Sequence, residues 1–175
     1  MNAIFPGSFD PFTRGHLDIV RRASYLFDKV YVAIAMNSKK TRTYNSLHMK
    51  TVIEDALVDE GIGPNVVVVH WSRSVAAAAI NFDAPVIIRA LRNGTDLEYE
   101  TVVESGNRML AADIGDDYTI EHVYLMCDPK YSRLSSTLAR ELMSNGASKE
   151  TMETILPAAV CRYVFNETAR LAPAR

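Results

Sequence analysis

The 175-residue sequence predicts a doubly wound α/β fold. A five-stranded parallel sheet would carry helices on both faces, with further helices at its C-terminal end. Two observations predict it. Short apolar runs alternate with segments of helical period, and consecutive parallel strands need such crossovers. The runs Val66-Val67-Val68-Val69 and Val86-Ile87-Ile88 are apolar throughout rather than alternating, as strands buried on both faces are.

The first strand is read at 2–6 and the second at 30–36, each bounded by Gly, Pro, Asn or Asp. Between them, Leu17 to Phe27 places apolar residues at 19, 20, 23, 26 and 27, one face of a helix. A second helix is expected from Ser46 to Val58, a third strand at 65–70, and a short helix from Val75 to Ile80. The fourth strand, 85–90, leads to a helix from Asp96 to Leu110, and the fifth strand is 119–125. A helix over 135–145 has Gly146 as its stop. Ser148 caps a short helix, and Pro157 opens the last one, through about Ala169. No repeat, low-complexity tract or linker interrupts the chain, so one domain over 1–175 is expected.

Composition narrows the function classes. Lys+Arg 19 against Asp+Glu 21 gives a net charge of -2, whereas general nucleic-acid binders carry a basic excess. No segment reaches the roughly 20 apolar residues of a membrane span, and the N-terminus lacks the basic and apolar regions of a signal peptide. A cytoplasmic protein, with neither nucleic acid nor membrane as partner, is expected. The two cysteines, Cys127 and Cys161, lack metal-ligand spacing. Cys161, in an apolar stretch, reads as core.

Ligands of open parallel sheets bind beyond the carboxyl ends of the strands, and four such ends carry cations or hydroxyls. The first is followed by Gly7-Ser8-Phe9-Asp10-Pro11-Phe12-Thr13-Arg14-Gly15-His16 and the second by Asn37-Ser38-Lys39-Lys40. The fourth ends in Arg89-Ala90-Leu91-Arg92, and the fifth leads to Tyr131 and Ser135-Ser136-Thr137. Each has a bland alternative. Gly15 and His16 suit a phosphate at a helix N-terminus, or a turn with a capping His. Arg89 and Arg92 suit phosphate, or ion pairs with Asp96, Glu98 or Glu100. Ser135, Ser136 and Thr137 suit a triphosphate, or plain N-capping. The convergence of all four points to an anion site. There is no P-loop, G-x-G-x-x-G or nucleophile elbow.

The stretch Pro6 to His16, with its core Thr13-Arg14-Gly15-His16, resembles the nucleotidylyltransferase signature. Two further motifs make the resemblance specific. Arg89-Ala90-Leu91-Arg92-Asn93-Gly94-Thr95-Asp96-Leu97-Glu98-Tyr99-Glu100 resembles R-G-L-R-x-x-x-D-x-E-Y-E, and Leu134 to Glu141 resembles I-S-S-[ST]-x-[VL]-[RK]-E. Both belong to the bacterial-type phosphopantetheine adenylyltransferases, a family with a Rossmann-like fold.

The resemblance implies adenylyl transfer from ATP to 4'-phosphopantetheine, giving dephospho-coenzyme A and pyrophosphate, with Mg2+ as cofactor and a homohexamer as assembly. It implies that His16, Lys39 and Arg92 are catalytic. Ser8, Phe9, Gly15, His16, Arg89, Arg92, Glu100, Tyr131, Ser135, Ser136 and Thr137 would bind ATP. Ser8, Lys39, Val75, Arg89, Asn107 and Glu141 would bind phosphopantetheine. No protein ligand to the metal is implied. A phosphate acceptor is already largely dianionic at neutral pH, so positioning and charge stabilisation suffice without a general base.

Three departures stand out. Ala90 replaces a glycine, which would be strained if that position needs φ > 0. The loop from Lys39 to Leu47 is longer than the family pattern, so Lys40 or Arg42 could replace Lys39, and His48-Met49-Lys50 stand where E-E-R is usual. Gly106 replaces a larger apolar residue. The alternatives are a related transferase with another phosphate acceptor, and a non-catalytic coenzyme A or nucleotide sensor.

Overall fold

The computed structural model describes residues 1–36, 41–115 and 118–171. Its strands are β1 (Asn2–Gly7), β2 (Lys29–Ala35), β3 (Val66–Trp71), β4 (Val86–Leu91) and β5 (Glu121–Met126). The helices are α1 (Arg14–Leu26), α2 (Ser46–Asp59), α3 (Val75–Asn81), α4 (Gly94–Ile114), α5 (Ser136–Ser144), α6 (Lys149–Glu153) and α7 (Ala158–Leu171). A single 3-10 turn, Pro129–Tyr131, follows β5.

The strands form one five-stranded sheet in the order β3-β2-β1-β4-β5, every pair parallel. Side chains alternate between faces, and each face has its own core. Ala3 and Phe5, Val30, Val32 and Ile34, and Val86 and Ile88 face α1, α2 and α5–α7. Ile4, Ala33 and Ile87 face the other way, onto Ala76, Ala78 and Ala79 of α3 and Ala111 of α4. Helices therefore cover both faces, as the strand–helix alternation requires.

The strand order corrects one expectation. Of the two apolar runs, only Val86-Ile87-Ile88 is fully buried. In β3 only Val68 is buried, and the rest are half-buried, because β3 is an edge strand. The run reads as interior because periodicity reports apolarity and not a strand's place in the sheet.

Helix ends also differ in places, for local reasons. Arg14 begins α1 ahead of the apolar stripe, since the Thr13 cap sets the start. Asn93 caps α4 by accepting from the Asp96 amide, so Gly94 and Thr95 are already helical despite poor propensity. The helix runs on to Ile114 and stops at Gly115. At the start of α2 there is no acidic residue in the first turn, but the Asn45 side chain accepts from the Leu47 and His48 amides. Gly146 after α5 has φ +76, the left-handed conformation of a helix stop.

Candidate active site

β1 and β4 pair only at Ala3↔Val86 and Ile4↔Ile87, whereas the other ladders run on toward the carboxyl ends. This is also where the strand order reverses, the usual position of a ligand crevice. A cleft of about 570 Å³ lies there, lined by residues from β1, α1, α3, β4, α4 and α5.

The β1–α1 loop supplies its floor. Gly7 is required: a Cβ there would lie 2.5 Å from the Phe9 ring. Phe9 has φ 43, uncommon for a residue with a side chain, and its ring meets the His16 imidazole edge-on at 5.1 Å between centroids. Thr13 caps α1 through a reciprocal capping box with His16. The Thr13 amide donates to His16 Nδ1 at 3.0 Å, which leaves the ring proton on Nε2 as a donor for the cleft.

Burial, and secondarily the Arg92 charge, push the His16 pKa down to about 4. The ring is neutral at pH 7, so it offers a hydrogen bond rather than a charge. An unfolded chain would take up this proton near 6.5. Between about 6.5 and 4 the unfolded state therefore binds more protons, and stability falls as pH falls. The loss is bounded at about 3 kcal/mol, and His16's partial exposure reduces it. Thermal melts across this window should fall more steeply with acid for the wild type than for His16→Gln; parallel curves would contradict the assignment.

β4 and the residue after it supply two cations, both paired. Arg89 donates to both Glu100 oxygens at 2.6 Å, and also to the Pro6 carbonyl at 3.4 Å. Arg92 forks onto Asp96 at 2.9 and 3.0 Å, which holds the Asp96 carboxyl below its ordinary range. Both arginines are thus ion-paired to carboxylates and also line the cleft. Ala90 is an ordinary strand residue opposite Leu125. Among the described residues only Phe9 and Asp83 are non-glycines with positive φ, so the alanine brings no strain.

At the start of α5, Ser135 accepts from the Leu138 amide as N-cap, and the Ser136 hydroxyl donates to the Pro11 carbonyl at 2.8 Å. These hydroxyls position the helix end. The first-turn amides of a helix lack intrahelical acceptors, and they are what such an end offers an anion.

The loop before α2 is tied to the β1–α1 loop. The Asp10 carboxylate accepts from the Thr43 and Tyr44 amides, each at 2.9 Å. Arg42 donates to the carbonyls of Ser8 (2.7 Å), Phe9 (3.4 Å) and Tyr44 (3.2 Å). Its guanidinium is committed to backbone, so of the three candidates for the mobile cation Arg42 is already occupied. Lys39 and Lys40 lie outside the described residues.

The cytidylyltransferase-like family model matches residues 4–142. A phosphopantetheine adenylyltransferase of Streptococcus suis is 39% identical over 140 residues, covering 80% of this chain and 82% of its own. Its counterpart in Leuconostoc mesenteroides is 37% identical over 158 residues, 90% of each. The chain belongs to the phosphopantetheine adenylyltransferase family. The fold is shared more widely: the Plasmodium falciparum nicotinic acid mononucleotide adenylyltransferase superposes with a TM-score of 0.70 at 14% identity, covering 95% of both chains.

Of the residues that the family resemblance marks, Ser8, Phe9, Gly15, His16, Val75, Arg89, Arg92, Glu100, Ser135, Ser136 and Thr137 line the one cleft. Tyr131, Asn107 and Glu141 are not in its wall. Tyr131 packs behind Gly15, with its Cβ 3.7 Å from where a Gly15 Cβ would be. Asn107 is buried and lies 3.2 Å from His122 Nε2. Glu141 is on the exposed side of α5. Nothing lies within 4 Å of a Cβ added at Gly106. The cleft also includes Thr13, Asp96, Tyr99 and Cys127, which the sequence analysis did not assign to it. Thr13, Asp96 and Tyr99 stand inside the sequence motifs and were within reach. Cys127 follows β5 with no motif of its own.

Proposed function

We propose that the protein, as one nucleotidylyltransferase domain over 1–175, transfers the adenylyl group of ATP to 4'-phosphopantetheine. The products are dephospho-coenzyme A and pyrophosphate. The observation that carries this is the set of relatives named phosphopantetheine adenylyltransferase, 37–40% identical over most of the chain. The cleft supports it, with cations, backbone amides and one neutral imidazole at a sheet's carboxyl edge.

The acceptor's phosphate oxygen attacks the α-phosphorus of ATP directly. One P–O bond forms as the α-phosphorus–oxygen bond to the β-phosphate breaks and pyrophosphate departs, and no covalent enzyme intermediate intervenes. The acceptor is largely dianionic at pH 7, so no side chain needs to remove a proton. His16 donates from Nε2 to the α-phosphate as charge builds. Arg92, Gly15 and the α5 amides of Ser136 and Thr137 hold the ATP phosphates, with Ser135 fixing that helix end. The Phe9 backbone borders the nucleotide, and Tyr131 stands behind Gly15. Glu100 keeps lone pairs for the ribose while paired to Arg89. Ser8, Lys39 and Arg89 hold the acceptor's phosphate, and Val75, Asn107 and Glu141 follow its pantetheine arm.

Among the described residues no group of three or more His, Cys, Asp or Glu is placed to hold a metal. Mg2+ would be carried on triphosphate oxygens and water. When bound, it would neutralise phosphate charge. Pyrophosphate release from ATP, measured with phosphopantetheine and with other phosphate acceptors such as nicotinamide mononucleotide, tests the reading. Turnover should require phosphopantetheine; preference for another acceptor would overturn it.

A homohexamer is part of the same proposal. Val102 and Met109 are each 71% exposed on α4, with Leu110 and Ile114 beside them. Such a stripe suits a subunit contact. Light scattering should give about six times the chain mass, and Val102→Glu should lower it; a wild-type monomer would refute the assembly. Both cysteines are free thiols, consistent with a reducing cytoplasm, which we take as its location. No described helix is long and apolar enough to cross a membrane.

A further inference from the structure

We propose that Arg42 is a positioning residue for adenylyl transfer: by holding the Ser8 and Phe9 carbonyls it keeps the Phe9 ring against His16. The inference rests on the adenylyltransferase reading above. It concerns the stretch where this chain departs from the family pattern, the longer loop between Lys39 and Leu47.

The Phe9 backbone does not hold itself. Its φ of 43 is a conformation that persists only where the surroundings over-determine it. The Phe9 side chain is 1% exposed, wedged between Gly7, Phe5, Phe12 and His16. A rotation of that backbone would therefore move the ring that packs on the imidazole. The fork of Arg42 bridges three carbonyls, those of Ser8 and Phe9 on one loop and Tyr44 on the other. Asp10 completes the clasp, receiving the Thr43 and Tyr44 amides and lying 3.9 Å from the guanidinium. The Arg42 side chain is only 14% exposed, so it is held rather than solvated. The clasp joins the loop that presents His16 to the segment that follows Lys39 and Lys40. It acts on the reaction through the placement of a group, without touching substrate.

The test is steady-state kinetics of Arg42→Met with ATP and phosphopantetheine, well below its melting temperature. Misplacement by a fraction of an ångström costs turnover first, so kcat should fall about 10- to 100-fold while both KM values stay within about threefold. A kcat equal to wild type, or a loss confined to KM, would overturn the proposal, as would a lowered Tm with unchanged kcat. Should Arg42→Met not fold, Arg42→Lys takes its place. A lysine cannot fork onto both loops, so a kcat reduced several-fold at constant KM supports the role, and wild-type kcat overturns it. Wild-type enzyme that makes no dephospho-coenzyme A would instead fail the functional reading itself.

Discussion

His16→Ala should lower kcat by about 10²- to 10³-fold, the usual cost of removing one preorganised donor to a transition-state oxygen. The structure states which donor is lost. Nδ1 is satisfied by the Thr13 amide, so Nε2–H is the group left for the α-phosphate in the proposed mechanism. Because the ring is already neutral at pH 7, with its pKa near 4, ATP binding should survive the change, with Kd altered far less than kcat. Stability should fall by about 1–3 kcal/mol, since the buried Thr13 amide loses its Nδ1 acceptor, although Thr13 still caps α1 through its side chain. His16→Gln should recover part of the rate, because an amide can donate. Single-turnover kinetics and ATP titration would check this. An alanine variant with wild-type kcat would remove His16 from the mechanism.

Arg89→Met should be the most damaging change in the cleft to both folding and activity. The Arg89 and Glu100 side chains are 22% and 10% exposed, and their bidentate contact joins β4 to α4. Removing one member strands a carboxylate out of water, at about 3–5 kcal/mol. In a chain of this length that is roughly a 6–20 °C drop in Tm. The double variant Arg89→Met/Glu100→Leu should regain most of the stability, since well-packed apolar replacements of buried pairs are often neutral. It should not regain activity, because the proposed acceptor-phosphate and ribose contacts would both be lost. Calorimetry of the two variants separates these effects. A single variant as stable as wild type would show that the pair is solvated.

The elements were legible because each carries its own period. Ile4 and Ile87 point one way and Ala3, Phe5, Val86 and Ile88 the other, as in any strand covered on both faces. The gathering of most motif residues in one cleft was legible because ligands of open parallel sheets bind beyond the strands' carboxyl ends. The state of those residues was not. That Arg89 and Arg92 are already engaged by Glu100 and Asp96 was open, since both a phosphate and a carboxylate attract a guanidinium. That Arg42 is spent on carbonyls depends on where two loops meet, which local pattern does not report. The interior reading of β3 failed for the same reason.

The amino-acid order by itself determined the strand–helix alternation, the glycine-rich turn into α1 and the anion-seeking residues at four strand ends. These follow from side-chain period and backbone propensity, which act over a few residues. The tertiary structure decided the strand order, the opening between β1 and β4, and the neutrality and tautomer of His16. It also decided which of its cations are clasped. Those depend on burial and on partners far apart in the chain, such as Arg42 with Ser8 or Arg89 with Pro6, which only the closed sheet and its loops bring within hydrogen-bond distance.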